Sequence, residues 1–558
     1  MDIRIEQMVS KEKSFEVGYV SAYIYYLMKK NEATKEEAEE FYKMNILSDG
    51  KASLEESSDY SFEIPISNTV IEKLKQEEVS IETVKNFLLY PKLEYFTRNI
   101  AEATTSYSLV DTIYKILDDK KLEIYQAADF GSGYGSTLMN LFKLRADHIT
   151  GIEVNPSFAL ILKIRASLIN GDFQESEYRI LTDDIYSYSM NNPNEKYDVI
   201  ISNMPWGIRA AIGSSKDKWQ HPVFKEVQIN RNSEWKDLAL LMGHLNSNGT
   251  GVFIGSPNLE YRSPDNEIRQ YFIENGFIEK VISLPNNILY NTGIAPTIYI
   301  LSFGNEEIEF IDGSEIYTSI PVGRSKMTSK DIEELFSKEN TIIVSNDEVL
   351  EKQRLNPSYY KIPIAEDSIA VEEFAEVFRG SRLPKEEQKK LESEITTNIE
   401  FIRMRHLEGG MVIGQEYLTE VPEKAFILKD EDIIISRVAS NLKIVLFKAV
   451  AGVTSIADDS LLIIRCDKKQ LDPYYVYACL NSNYGKTILE ANYKGSVIQQ
   501  INLRTLKDIP VPNASKTKQE NIRKELSIIE NEILDTYVLH ETAKEEREEL
   551  VNKWFKEG

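Results

Sequence analysis

The sequence predicts an α/β protein: a doubly wound sheet with a small helical domain before it, and after it an α+β domain ending in one long helix. Three patterns predict this. Residues 91–320 alternate short apolar runs with helical periodicity, the pattern of strand–helix–strand units around a largely parallel sheet. Residues 1 to about 90 are rich in helical periodicity, clearest over 17–27. From about 365 onward short strands and turns take over, until 518–554 reads as a single helix.

Taken in order, the N-terminal 90 residues form helices interrupted by polar linkers such as Ser48-Asp49-Gly50, with no carboxylate–carboxylate–Lys cluster of the kind a nuclease needs. The first strand, Ile124 to Phe130, runs into Gly131-Ser132-Gly133-Tyr134-Gly135 before a helical run over 136–144. Glycines at such a turn let the backbone approach a ligand where a side chain would collide. The next strand, 149–152, ends in Glu153, where a carboxylate can bind two ribose hydroxyls. Strand 178–181 ends in Asp183-Asp184, positioned to receive an adenine amino group.

The apolar run Tyr197 to Ile201 then ends in Ser202-Asn203-Met204-Pro205-Trp206. An Asn carbonyl and a neighbouring backbone carbonyl at a strand tip can accept both protons of a planar amine, while an aromatic ring stacks on the base. That arrangement favours a pyramidal nitrogen with a localised lone pair, which a ring-conjugated amine otherwise lacks. Alone, a glycine-rich turn also fits a nicotinamide enzyme, and Asn-Met-Pro-Trp also fits a polar strand end before a turn. Four successive strand ends carrying Gly-rich loop, Glu, Asp and Asn-x-Pro-Trp favour a nucleotide site. Beyond it, 251–255 is a further strand after helix 233–245, 282–303 fits a terminal hairpin broken by Pro285 and Gly293, and 321–360 is a mixed connection.

These residues resemble the amino-methylating DNA methyltransferases that use S-adenosylmethionine, in particular the modification subunit of type I restriction systems. Asp129-Phe130-Gly131-Ser132-Gly133 resembles the family's first cofactor motif, and Asn203-Met204-Pro205-Trp206 its catalytic Asn-Pro-Pro-aromatic. The likeness continues through Val281 to Pro285, Asn291 to Ile298, Val344 to Asp347 and Leu355 to Tyr360, covering roughly 90–360. It implies a Rossmann-like methyltransferase sheet, with S-adenosylmethionine held by Thr105, Asp129, Gly131, Ser132, Gly133, Glu153 and Asp184. Thr105 stands in a degraded Phe-Tyr-Thr-Pro segment, 103–108, and would lie beside the methionine end of the cofactor. Met204 replaces the family's first Pro; the implied role of that position belongs to its backbone carbonyl, so Met can serve while giving up a fixed φ.

Residues 365–513 resemble one target-recognition domain of a type I specificity subunit, on Phe374 to Ser381, Leu428 to Arg437, Gly495 to Leu503 and Leu506 to Pro512. The resemblance implies double-stranded DNA as partner, with Arg379, Arg437, Lys494, Gln499 and Gln500 as candidate contacts. The long helix has apolar positions Ile522, Leu526, Ile529, Ile533, Tyr537 and Leu550, and in such subunits acts as a spacer that packs on a second helix. The alternative is a helix capping its own domain. The expected domains are therefore 1–90, 91–360, 361–513 and 514–558.

Composition bounds the rest. No run of 18 apolar residues occurs, and the N-terminus lacks the order of a secretory signal. Two cysteines, Cys466 and Cys479, suit a reducing cytoplasm, follow no Pro as a cytosine-C5 nucleophile would, and with five histidines show no metal-ligand spacing. A net charge of −24 opposes phosphate binding, but the excess acid is expected in helices 36–40 and 545–549 and in loops around 305–315 and 365–376. That leaves Arg403, Arg405, Arg437, Lys443, Lys448, Lys486, Lys494, Arg504 and Lys507 for a local basic face, unless they are ordinary solvated residues.

The expected function is transfer of a methyl group to N6 of a flipped-out adenine in duplex DNA, within a restriction-modification or related system. The alternatives are an N4-cytosine methyltransferase, an RNA or protein methyltransferase, and a specificity protein whose enzymatic core has decayed. A homodimer, or a specificity or restriction subunit joined through the long helix, completes the expected partners.

Overall fold

The computed structural model describes residues 5, 9, 14–47, 64–91, 104–173, 176–207, 227, 229, 233–261, 263–290, 292–320, 324–361, 365, 367–438, 442–492 and 500–556. They form two compact units, Met1–Ser358 and Tyr359–Gly558. The linker Ser48-Asp49-Gly50 lies outside the described residues.

In the first unit, helix α1 (Phe15–Asn31) is capped by Ser14, whose side chain accepts from the Val17 amide at 3.2 Å. Its middle, 18–27, is largely apolar all round because it is buried all round: Tyr19, Val20, Ala22, Ile24 and Tyr25 are sealed from solvent. The Tyr25 hydroxyl still needs a partner in that core, and donates to the Val79 carbonyl at 3.0 Å. Helices α2 (Lys35–Tyr42), α3 (Asn68–Gln76) and α4 (Ile81–Leu89) pack around α1, and their apolar residues share one core with the sheet that follows. Helix α5 (Tyr107–Asp119) leads into that sheet.

The strands and helices then alternate: β1 (Gln126–Phe130), α6 (Leu138–Lys143), β2 (His148–Glu153), α7 (Pro156–Asn170), β3 (Glu177–Thr182), α8 (Ile185–Asn191), β4 (Tyr197–Ser202), α9 (Trp235–His244) and β5 (Leu245–Gly255). Helix α10 (Asn266–Glu274), β6 (Ile278–Ser283), β7 (Thr297–Leu301), β8 (Glu307–Asp312) and β9 (Thr341–Ser345) complete it. The nine strands lie in the order 9-8-6-7-5-4-1-2-3. Strands β1 to β5 are mutually parallel, and β7 runs antiparallel to both β5 and β6. The chain winds from β1 outward to β2 and β3, then returns past β1 to β4 and β5. The loops after β1 and β4 therefore diverge, and a crevice opens at their carboxyl ends.

The sheet corrects two expectations. The hairpin of β6 and β7 is not terminal, because β8 pairs parallel to β6 and β9 antiparallel to β8. The acidic stretch 305–315 is not a loop: Ile308 and Phe310 alternate inward, and outward Glu309 pairs with Lys280 across the strands. Its charge concealed a period-2 pattern. The other acidic stretch is likewise structured, as short strand Ser368–Ala370 and helical turn Val371–Phe374.

The second unit carries β10 (Ala375–Arg379), β11 (Ile399–Ile402), β12 (Glu416–Leu418), β13 (Ile433–Ser436), β14 (Ile444–Leu446), β15 (Thr454–Ala457) and β16 (Leu461–Cys466). One sheet orders its strands 10-16-13-14; the other places β11 between β12 and β15. The runs Ile433-Ile434-Ile435 and Leu461 to Ile464 are continuous because the first sheet is covered on both faces. Helix α11 (Pro473–Asn481) covers one of them.

The last helix, α12 (Lys516–Lys556), matches the long helix read from periodicity. Ile522 and Leu526 dock it, and Arg523 donates to Glu431 at 2.7 and 2.9 Å and to Asp472 at 2.5 Å. Farther along, Val538, Leu539, Leu550, Val551, Trp554 and Phe555 are exposed.

Candidate active site

The crevice is built from the tips of β1, β2 and β4 and the segment before α5. After β1 the chain turns through Gly131, Gly133 and Gly135 at φ +76°, +54° and +80°, a region that L side chains rarely adopt. The Gly131 and Ser132 amides both donate to the Ile152 carbonyl, at 3.0 and 2.9 Å, which ties the loop to the end of β2. The Ser132 hydroxyl donates to the Asp129 carbonyl at 2.8 Å and accepts from the Ile152 amide at 3.1 Å. Ser132 thus shapes the loop.

Glu153 closes the loop from the other side. One carboxylate oxygen accepts from the Gly133 amide and the other from the Asn155 amide, each at 2.8 Å. Burial raises its pKa, and the two amides pull it back. Asp129 is sealed from solvent at the end of β1; its Oδ2 accepts from the Thr137 hydroxyl at 2.7 Å. Its Oδ1 has no hydrogen-bond partner among the described residues. Burial pushes the Asp129 pKa up to about 7, against the Thr137 bond. Asp184 is exposed, and its Oδ1 caps α8, accepting from the Tyr186 and Ser187 amides at 3.1 Å each. Among the described residues it is hydrogen-bonded to none of the other candidates.

Asn203 follows β4 directly, and its Nδ2 donates to the Thr105 hydroxyl at 2.7 Å. Asn203 Oδ1 makes no hydrogen bond among the described residues, so the acceptor end of the carboxamide is left over. Met204 lies on the glycine loop: a Cβ added at Gly131 would stand 2.9 Å from Met204 Cγ. Pro205 is exposed. Trp206 is half-buried against the core, and its indole N–H donates to the Ile254 carbonyl of β5 at 3.3 Å. The ring edge is thereby anchored.

The structure thus joins Thr105 to Asn203, Gly131 to Met204 and Gly133 to Glu153, and leaves Asp184 and Trp206 at the margins. Sequence reasoning missed Thr137 and Tyr134. Tyr134 sits among the three glycines; its hydroxyl donates to Glu16 at 2.9 Å, its ring packs on Phe15 and Phe158, and its carbonyl accepts from Arg165. A large ring inside a glycine-rich loop was an available signal, since it needs a cover that its own loop cannot supply. Thr137 left no such signal.

In the second unit Arg379, Arg437 and Gln500 converge on one loop. Arg379 donates to Asp459 Oδ2 at 3.0 Å, and Arg437 to the Asp459 carbonyl at 3.0 Å and to Gln500 Oε1 at 2.9 Å. Lys494 and Gln499 lie outside the described residues. Several cations of this unit are answered locally: Arg403 and Arg405 share Glu416, Arg465 holds Asp432, and Lys468 and Arg523 share Glu431. The Arg523 guanidinium above all holds the Glu431 carboxyl down to about 2.

Comparison with known proteins follows the same division. Residues 93–355 match the family model for N-6 DNA Methylase, and 367–537 match that for the Type I restriction modification DNA specificity domain. The chain is 25% identical over 301 residues to the Type I restriction enzyme MpnII methylase subunit of Mycoplasma pneumoniae, covering 47% of this chain and 55% of that protein. It is 22% identical over 349 residues to the Type I restriction enzyme MjaVIII methylase subunit of Methanocaldococcus jannaschii, covering 56% and 57%. The chain spans a little over half the length of these curated relatives. Among solved structures, it resembles a type I restriction-modification system methyltransferase subunit from Streptococcus thermophilus at 16% identity and TM-score 0.45, covering 63% of this chain and 97% of that one.

Proposed function

We propose that this chain, an N-6 DNA methylase over 93–355 fused to a type I restriction modification DNA specificity domain over 367–537, methylates N6 of an adenine flipped out of duplex DNA. One observation carries the reading. Asn203 stands at the tip of β4, beside the strand reversal, with its amide nitrogen engaged by Thr105 and its carbonyl oxygen left over. An amine delivered there meets that oxygen and the Met204 backbone carbonyl. Two acceptors drawing on both N–H groups localise the nitrogen lone pair.

The residues present fit S-adenosylmethionine. Bare backbone at Gly131 and Gly133, the Glu153 carboxylate closing the loop, and the buried Asp129 oxygen without a partner suit a nucleoside that carries a charged amine. Thr105, Asp129, Gly131, Ser132, Gly133, Glu153 and Asp184 would hold it. When bound, it supplies an electrophilic methyl group on a sulfonium. The chain's task is to align the amine and exclude water. Trp206, anchored by its N–H, offers its face to the extruded base. No residue has to remove a proton beforehand, because the amine proton becomes acidic only once the nitrogen carries the methyl group.

The second unit would read base edges in the major groove through Arg379, Arg437 and Gln500, and the resemblance to a target-recognition domain adds Lys494 and Gln499 as candidate contacts. The Arg–Asp459 and Arg–Gln500 bonds hold these side chains ready and are exchanged for contacts to DNA. The exposed apolar residues of α12 favour pairing with a second copy through that helix. Among the described residues no helix is long and apolar enough to cross a membrane, and the two free cysteines fit a reducing cytoplasm. An N4-cytosine amine poses the same electronic problem and is the second reading.

Asn203→Ala tests the proposal with labelled cofactor and mixed-sequence duplex. Methyl transfer is abolished while cofactor binding stays within about threefold, as expected of a group that acts on the amine. Loss of cofactor binding would instead mark Asn203 as structural and contradict the assignment.

A further inference from the structure

We infer that Thr105 is a positioning residue for the transfer step, holding the Asn203 carboxamide in place for the substrate amine. The inference rests on the methyltransferase reading and deepens it. A carboxamide has two ends of nearly equal size, and only the oxygen accepts hydrogen bonds. Turned by half a rotation, Asn203 would present N–H groups to an amine and repel it. Something must hold the side chain still while the amine, which donates both N–H groups, meets its oxygen.

Thr105 can do so. Its hydroxyl oxygen lies 2.7 Å from Asn203 Nδ2 and accepts from it, which turns Oδ1 the other way. The residue is 6% exposed, so water competes little for that bond. Its β-branched side chain is stiff at χ1. The chain is tethered two residues on, where the Tyr107 amide donates to the Tyr290 hydroxyl at 3.3 Å. One residue on, the Ser108 hydroxyl accepts from the Met327 amide at 3.0 Å and donates to the Met327 carbonyl at 3.3 Å. The first turn of α5 is thus anchored just after Thr105, which lies 98 residues distant in sequence from the group it orients. This role differs from holding the cofactor's methionine end, because it acts on the acceptor of the amine.

The test compares Thr105→Val and Thr105→Ala, which lack the hydroxyl, with Thr105→Ser, which keeps it. Single-turnover methyl transfer is measured at saturating cofactor, binding of S-adenosylhomocysteine by calorimetry, and base extrusion by fluorescence of 2-aminopurine at the target position. Loss of the hydroxyl lowers the single-turnover rate about tenfold to hundredfold, as expected for a misaligned reacting group. Thr105→Ser stays within about threefold of wild type, and extrusion holds to the same margin in all folded variants, while any weaker binding seen by calorimetry is offset by the saturating cofactor. An unchanged rate in Thr105→Val or Thr105→Ala, or a loss that saturating cofactor restores, overturns the inference. A wild-type chain that transfers no methyl to any base sinks the underlying reading and the inference with it. A Thr105→Val defect beside an active wild type cannot be mistaken for that outcome.

Discussion

Gly131→Ala puts the contact between the two halves of the site under direct load. The new Cβ would stand 2.9 Å from Met204 Cγ, 3.6 Å from Met204 Sδ and 3.8 Å from Met204 Cα, at a φ of +76°. The left-handed backbone costs a non-glycine residue roughly 1–2 kcal/mol. The steric overlap adds about 1–3 kcal/mol unless Met204 moves. Met204→Ala removes Cγ and Sδ, leaving ordinary contact, and so relieves the second cost but not the first. The two substitutions together with the singles form a double-mutant cycle, read by urea unfolding. The double variant is expected to be more stable than the sum of the singles by about 1–3 kcal/mol. Single-turnover methyl transfer follows the same pattern, because displacing Met204 displaces Asn203 beside it. Additivity within about 0.5 kcal/mol would refute the claim that the amine-gripping turn rests on the glycine loop.

Other consequences follow from single residues. Trp206→Ala weakens capture of the extruded base more than duplex binding, read by 2-aminopurine fluorescence; unchanged extrusion refutes the stacking role. Asp129→Asn tests the buried carboxyl, whose pKa is raised to about 7 by burial. The native chain keeps a proton that the unfolded chain releases, so wild type loses stability relative to the variant as pH rises from about 4 to 7. A wild-type–variant difference that is flat across that range in urea unfolding would contradict it. Replacing exposed Trp554 and Phe555 together by Ser is expected to turn a dimer into a monomer in light scattering without loss of thermal stability. A dimer that persists places the interface elsewhere.

Much of the first unit was legible because its signals are local. Each of β1 to β4 leads into the polar residue or loop to which the sequence reading assigns a chemical task, and the parallel order follows from strand–helix alternation. Strands β8 and β9 were hidden for opposite reasons. Glu307 to Asp312 alternates correctly but reads as an acidic loop, and Thr341 to Ser345 is an edge strand whose Ile343 faces solvent. The bonds of the site were less legible than its residues. Nothing local to Thr105 announces a bond to Asn203, nor does Tyr134 announce its cover by Phe15 and Glu16. Such pairs are made by the winding of the sheet, which a linear pattern does not encode. In the second unit the cations were visible but their acids were not, since Glu416, Glu431 and Asp459 reach them across strands and loops.

Asn203 and the Met204 carbonyl are proposed to sharpen an exocyclic amine toward an electrophilic methyl group. The direct measurement incubates the full chain with radiolabelled S-adenosylmethionine and mixed-sequence duplex DNA, digests the DNA to nucleosides and separates them. Label is expected in N6-methyldeoxyadenosine, with none from the Asn203→Ala chain. Label in N4-methyldeoxycytidine would contradict the choice of base, and no label in DNA would contradict the assignment as a whole.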